Sequence, residues 1–163
     1  TVPSIVFYNL HNCAAVHFIE ADNSSYLCSN RKDSTYIYMK NIAETYWKRK
    51  KMPIPHLLLS DYEGRNVWSH KGIVHWRGMN ICMVTDGYWR NKSATNLLDI
   101  DYMYLCKGYK GEIAPLQKLF HIKRIVLDAS LGDYKSKAYK EECKTLGLDY
   151  IDISEKGSFR ILL

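Results

Sequence analysis

The last third of the chain alternates predicted strands and helices, which restricts the folds open to it more than any other feature. The elements predicted there are a strand at 101–106, a glycine loop at 107–111, a helix at 112–120, a strand at 124–129, a helix at 134–146 and a strand at 149–153. A final hairpin is expected around residues 156–157. Alternation of this kind is typical of α/β proteins, in which helices cover the faces of a sheet.

The first hundred residues are richer in strands. Apolar runs predict strands at 4–9, 14–20, 25–29, 56–60, 67–69, 73–76 and 79–85, with a turn at 21–24 that makes the second and third a hairpin. A helix is predicted from Asp33 or Ser34 to about Lys50, and Pro53 ends it. Residues 61–65 and 86–98 are predicted to be a turn and a long loop. The pattern suits two central sheets with outer helices, and alone it indicates a mixed α/β class.

The length and composition favour one folded domain. The chain has 163 residues, of which 47% are hydrophobic and 25% are charged, enough for a core and too apolar for disorder. No repeat or linker divides it, and no apolar run approaches 18 residues. The five cysteines are scattered without CxxC spacing, so we expect buried thiols rather than disulfides or structural zinc. A start at Thr1 suggests a fragment of a larger protein or a processed chain.

The net charge of +6 is concentrated in one segment. Residues 31–51 contain seven basic and two acidic side chains, and the segment ends in Lys48, Arg49, Lys50 and Lys51. A patch of this kind attracts nucleic acid or anionic lipid headgroups. The alternative is the solvated C-terminal end of a helix, where the helix dipole favours cations.

Two Trp-Arg dipeptides carry groups suited to single-stranded nucleic acid. Trp76-Arg77 and Trp89-Arg90 lie on either side of the strand at 79–85, and Lys92 follows the second pair. Aromatic rings stack on bases while cations contact phosphates. At ~3.3 Å per residue the pairs would be about 25 Å apart and form two separate contacts. Alternatively, both tryptophans pack at sheet ends and the arginines extend over them to water.

The loop at 107–111 is a candidate phosphate site. Gly108 and Gly111 let the backbone expose its amides, the predicted helix that follows would present its N-terminus, and Lys107 and Lys110 add charge. Glu112 would compete for the same helix dipole. The alternative is a tight turn with surface lysines.

This loop also carries a resemblance to a known family. In metal-binding metallo-β-lactamase-like domains a His-His-Gly-Ser loop follows the corresponding strand, and residues 107–111 (Lys-Gly-Tyr-Lys-Gly) keep the glycine without the histidines. Residues 146–148 and 155–159 match the helix end and closing hairpin of those domains. The chain resembles the soluble C-terminal domain of the ComEC family of competence DNA-uptake channel proteins. The resemblance implies a metallo-β-lactamase-like αββα sandwich.

The departures from the family pattern fall on metal ligands. The family's Asp-Val-Gly-Gln-Gly-Asp-Ala run corresponds to residues 9–15, where Asn9 and Ala14 replace both aspartates. The chain contains no His-x-His motif, and residues 131–135 (Leu-Gly-Asp-Tyr-Lys) lack the histidine of the family's Tyr-Gly-His-Pro-like segment. The resemblance therefore implies a degenerate site with no metal and no cofactor.

Three hypotheses about function stay open. The first is a non-catalytic domain of an inner-membrane DNA-uptake channel, extracytoplasmic, that contacts single-stranded DNA or the channel region of its parent chain. The second is a nuclease or phosphoesterase with a rearranged metal site that uses Asp61, Glu63, Asp86 or histidines, and the third is a structural module that braces the channel. The first hypothesis assigns contacts to Lys107, Gly108, Lys110, Gly111, Trp89, Arg90, Lys92, Lys48, Arg49, Lys50 and Lys51.

Overall fold

The computed structural model describes residues 2–10, 13–30, 53–58 and 61–163. The predicted helix that begins at Asp33 or Ser34 lies outside these residues, and so do Lys48, Arg49, Lys50 and Lys51. Part of the predicted strand at 56–60 also lies outside them.

The first sheet joins the two ends of the chain. Its strand order is β14-β1-β2-β3-β4, and only the pair β3–β4 is parallel. The strands are β1 (Ser4–Phe7), β2 (Ala15–Ile19), β3 (Ser25–Ser29), β4 (His56–Leu57) and β14 (Phe159–Leu162). The predicted hairpin between β2 and β3 is confirmed. Its turn places Asn23 at φ 69°, and the amide of Ser24 donates to Asp22 Oδ1 at 2.9 Å.

The second sheet is larger and mixed. Its order is β13-β12-β10-β8-β7-β6-β5, with β8, β10, β12 and β13 parallel and the rest antiparallel. The strands are β5 (Tyr62–Glu63), β6 (Val67–His70), β7 (Ile73–Trp76), β8 (Met79–Val84), β10 (Tyr102–Leu105), β12 (Arg124–Leu127) and β13 (Asp149–Asp152). The strand predictions for this part of the chain are confirmed, except that residues 62–63 form a strand inside the predicted turn.

Two α-helices belong to the described residues, α1 (Asp133–Leu146) and α2 (Ile153–Lys156). The predicted end of α1 is confirmed: Gly147 has φ 70°, and the amide of Leu148 bonds to Cys143 O at 2.9 Å. This is the left-handed glycine cap common at helix ends.

The predicted helix at 112–120 is wrong. Only a 3-10 helix (Ala114–Lys118) forms there, and residues 120–122 instead make β11 (Phe120–Ile122), which pairs in parallel with β9 (Leu98–Ile100). The segment is short for an α-helix, whose nucleation is costly. Strand pairing also buries Phe120 and Ile122.

The predicted final hairpin is also wrong, because β13 and β14 lie in different sheets. The carboxylate of Asp152 accepts the amide of Ser154 at 2.9 Å and caps α2, which takes the chain away from β13. Gly157 at φ 83° then allows the chain to cross to the first sheet.

The two sheets pack face to face around a shared apolar core. Phe7 meets Tyr104 edge-on with ring centroids 5.0 Å apart, and Phe18 meets Trp76 at 5.6 Å. On the other face of the second sheet, α1 contributes the buried Tyr139 and Cys143. All five cysteines are buried and none forms a disulfide, as the sequence predicted.

The described layers are therefore sheet, sheet and helix, in an α/β protein with mixed sheets and few helices. The outer face of the first sheet is buried at Val6, Ile19 and Leu27. None of the helices in the described residues has the length and apolar character needed to cross a membrane.

Candidate functional site

The candidate site lies where β8 and β10 end. These neighbouring strands are parallel, so Thr85 and the loop at 107–111 leave the second sheet along the same edge. In open α/β sheets, ligands bind outside the carboxyl ends of parallel strands.

The loop at 107–111 lies tightly against the end of β8. Gly108 has φ +107°, and a Cβ at this position would lie 2.1 Å from Thr85 O, so only glycine fits. The amide of Lys107 donates to Ser130 Oγ at 3.1 Å. Tyr109 is buried, and its hydroxyl donates to Glu112 O at 2.6 Å. The Lys107 and Lys110 side chains are consequently left exposed on an ordered turn.

The loop after β8 carries the second predicted group of contacts. Its backbone turns on two hydrogen bonds, from the Tyr88 amide to Asp86 Oδ1 at 2.9 Å and from the Arg90 amide to Gly87 O at 3.0 Å. Trp89 is half-buried and packs edge-on against Phe120, with ring centroids 5.2 Å apart. Trp89 therefore anchors this loop, while Arg90 remains exposed.

An exposed ring in contact with two lysines is a feature that sequence reasoning missed. Tyr88 is 38% exposed, and the ammonium groups of Lys71 and Lys92 lie 5.2 Å and 4.6 Å from its ring centroid. Lys71 comes from the β6–β7 turn, where it has φ 50° and precedes Gly72 at φ 85°. The Lys-Gly pair is a turn signal, but it does not show which loop the turn will face.

The two loops are neighbours. Burial raises the pKa of Tyr109, and the nearby carboxylate of Glu142 adds to this, while the guanidinium of Arg90 opposes it. The close approach of Gly108 to Thr85 O places the loop after β10 alongside the start of the loop after β8. We call the combined surface the basic edge, which comprises Lys71, Tyr88, Arg90, Lys92, Lys107 and Lys110.

The other Trp-Arg pair lies elsewhere and is structural. Trp76 is fully buried, and its indole Nε1 donates to Glu20 Oε1 at 2.6 Å. Arg77 Nη1 lies 3.0 Å from Glu20 Oε2. For this pair the packing alternative is confirmed, and it ties the second sheet to the end of β2.

The backbone amides expected to hold a phosphate are partly engaged. Ile113 N and Ala114 N donate to Glu142 Oε1 and Oε2 at 2.7 Å and 2.8 Å. A protein carboxylate therefore lies where the sequence suggested an external anion, and the five-residue 3-10 helix replaces the expected α-helix N-terminus. Phosphate contact by the lysines stays a prediction.

A buried polar cluster joins β10 to the loop after β12, next to the basic edge. The Tyr104 hydroxyl donates to Asp128 Oδ1, and the amide of Ser130 donates to Asp128 Oδ2 at 2.9 Å. Burial raises the pKa of Asp128 despite the opposing effect of these hydrogen bonds. Burial also raises the pKa of Cys106 well above its usual range, so its thiol stays protonated near neutral pH and is a poor nucleophile.

The residues of the metallohydrolase hypothesis are scattered apart from one pair. Asp61 Oδ2 lies 2.8 Å from His70 Nδ1, beside a cavity of about 590 Å³ whose lining also includes Lys71, Met83 and Thr85. The Lys71 amide and His70 lower the pKa of Asp61. Asp86 is used in its own turn. In the described part of the chain, no three or more His, Cys, Asp and Glu residues are grouped in a way that could hold a metal ion.

Comparison with known families gives one match. The family model described as the ComEC C-terminal domain matches residues 5–163. The chain belongs to the ComEC C-terminal domain family. This confirms the resemblance found in the sequence and suggests a role in competence DNA uptake for the domain. No curated protein and no solved structure matches the chain.

Proposed function

We propose that this ComEC C-terminal domain contacts single-stranded DNA during uptake, through the basic edge and without catalysing a reaction. The observation that carries the proposal is the exposed Tyr88 ring in the loop after β8, with the ammonium groups of Lys71 and Lys92 5.2 Å and 4.6 Å from its centroid. An aromatic face can stack on a base while neighbouring cations follow the phosphates.

The cations of the basic edge are available to an anionic ligand. Among the described residues, none of its lysines or Arg90 is paired with a carboxylate, whereas Arg77, Lys123 and Lys140 are. Cations without a carboxylate partner strengthen the local field and attract a polyanion. Binding through them should weaken steeply as salt rises, because each phosphate contact releases counterions.

The remaining parts of the proposal concern the setting of the domain. We propose that the two sheets and α1 belong to a metallo-β-lactamase-like αββα sandwich. The burial of the outer face of the first sheet supports this arrangement. Family membership supports a parent channel in the inner membrane. We propose that the domain lies on the extracytoplasmic side of that membrane. Lys48, Arg49, Lys50 and Lys51 would supply a second basic surface.

The test is a titration of the domain against fluorescent oligothymidine at several salt concentrations. Replacing Lys71, Arg90 and Lys92 with alanine should weaken binding and reduce the slope of log K against log salt by about 0.7 per lost phosphate contact. The matched control replaces three exposed lysines outside the edge, Lys118, Lys137 and Lys144.

Each result has a definite meaning. A slope of log K against log salt that becomes shallower only in the edge variant supports the proposal. Equal changes in both variants would refute a specific contact and indicate a non-specific charge effect. If the unmodified domain shows no salt-dependent affinity, the proposal fails and the bracing module becomes the better hypothesis.

A further inference from the structure

One face of α1 forms hydrogen bonds to the backbone of the loop that carries Lys107 and Lys110 and to the residues that follow it. Lys135, Tyr139 and Glu142 follow one another at intervals of four and three residues, the spacing that places side chains on a single helix face. All three form hydrogen bonds to backbone atoms of residues 110–114.

Glu142 makes the most specific of these contacts. Its two carboxylate oxygens accept the amides of Ile113 and Ala114 at 2.7 Å and 2.8 Å. Hydrogen bonds to an ionised acceptor are stronger than those between neutral groups. The pair of bonds fixes where the chain enters the 3-10 helix, and it occupies both amides.

Tyr139 and Lys135 hold the preceding peptide groups. The Tyr139 hydroxyl donates to Gly111 O at 2.7 Å, and Lys135 Nζ donates to the same oxygen at 3.1 Å. Lys135 Nζ also lies 3.4 Å from Lys110 O and 4.6 Å from the centroid of the Tyr139 ring. Helix α1 thus fixes the backbone of the loop. The side chains of Lys107 and Lys110 have no carboxylate partner among the described residues.

We propose that Lys135, Tyr139 and Glu142 are positioning residues for DNA contact, and that phosphates at this edge meet side-chain cations rather than backbone amides. The inference rests on the proposed function. It assigns α1 a role in DNA binding through its contacts with the loop rather than through its exposed charges.

Glu142 offers a decisive test, because electrostatics and positioning predict opposite results. If Glu142 acted only through its charge, removing a negative group beside the lysines would strengthen DNA binding. If it positions the loop, Glu142→Gln should weaken binding, since the amide NH₂ of glutamine cannot accept one of the two backbone donors.

The experiment measures amide hydrogen exchange by NMR and oligothymidine affinity on the same variants. For Glu142→Gln we expect faster exchange at Ile113 and Ala114 and about fivefold weaker binding, with an unchanged salt slope because no phosphate contact is removed. Tyr139→Phe should shift both readouts in the same direction and keep the ring packing. The control is Glu141→Gln, which removes the same charge from an exposed neighbour on α1.

The outcomes separate this inference from the proposed function. Equal or tighter binding by Glu142→Gln, with normal exchange, would overturn the positioning role and leave DNA binding by the domain intact. A change in exchange without a change in affinity also refutes it, because the loop would then be held for stability alone. Absence of binding by the unmodified domain would instead refute the proposed function, and the role of α1 in DNA contact with it.

Discussion

Gly108 is the position at which one added methyl group should damage the basic edge most. An alanine Cβ would lie 2.1 Å from Thr85 O, against the 3.4 Å at which ordinary contact begins, so the two segments must separate by about 1.3 Å. The backbone at φ +107° adds strain of about 1–2 kcal/mol for a residue with a side chain. Moving the loop also stretches the bond from Lys107 N to Ser130 Oγ, worth about 1 kcal/mol net.

We therefore expect Gly108→Ala to lower the free energy of unfolding by about 3 kcal/mol. Urea denaturation measures this directly, and with an m-value of about 2 kcal/mol/M the midpoint should fall by about 1.5 M. The matched control is Gly78→Ala in the β7–β8 turn, where φ is +76° but nothing lies within 4 Å of the added Cβ. That variant should lose only the strain, about 1–2 kcal/mol. Equal losses in the two variants would refute the argument that close approach to Thr85 requires glycine.

Two further predictions concern buried groups of the first sheet. Burial lowers the pKa of His17 to about 3, so between pH 6.5 and 3 the unfolded chain binds more protons than the folded one, and stability should fall with acidification by up to roughly 1.4 kcal/mol per pH unit. His17→Gln should lose this dependence in urea titrations at pH 6.5 and 5, and identical pH profiles for both proteins would contradict the assignment. Glu20→Ala should cost about 2–3 kcal/mol because it leaves the buried Trp76 N–H without an acceptor. Glu20→Gln, which keeps an acceptor and loses the half-exposed ion pair with Arg77, should cost less than about 1 kcal/mol in thermal unfolding. A glutamine variant as unstable as the alanine variant would show that the ion pair, rather than the indole bond, stabilises this junction.

Elements with a strong local signal were predictable from the sequence. Helix α1 ends at Leu146, just before Gly147, as expected, and the β2–β3 hairpin turns where the Ala-Asp-Asn-Ser run predicted it. The start of β11 at Phe120 was assigned to a helix because the pairing partner of β11, β9, lies about twenty residues earlier in the chain. Apolar spacing in a short run does not distinguish a buried strand from a helix. The crossover near Gly157 was missed for a similar reason, since a glycine turn signal does not specify which sheet the next strand will join.

The candidate site divides in the same way. The sequence singled out Arg90, Lys92, Lys107 and Lys110 from their residue types, and the structure brings the two loops that carry them together along one edge. Lys71 and Tyr88 were missed because their proximity depends on how the β6–β7 turn lies against the loop after β8. Trp76 has the same dipeptide signature as Trp89, yet the carboxylate of Glu20, from the other sheet, captures its indole.

The sequence by itself determined the α/β class, the buried thiols without disulfides, the family and the glycine loop, because each of these depends on residue type and short-range spacing. The tertiary structure decided which charges remain available to a ligand. Glu142 removes two backbone amides from use, Glu20 pairs with Arg77, and Lys71 and Lys92 meet at Tyr88. The contacts of Lys71, Glu142 and Glu20 join residues from 17 to 57 positions apart, and interactions over such separations become definite only when packing sets the distances between the elements.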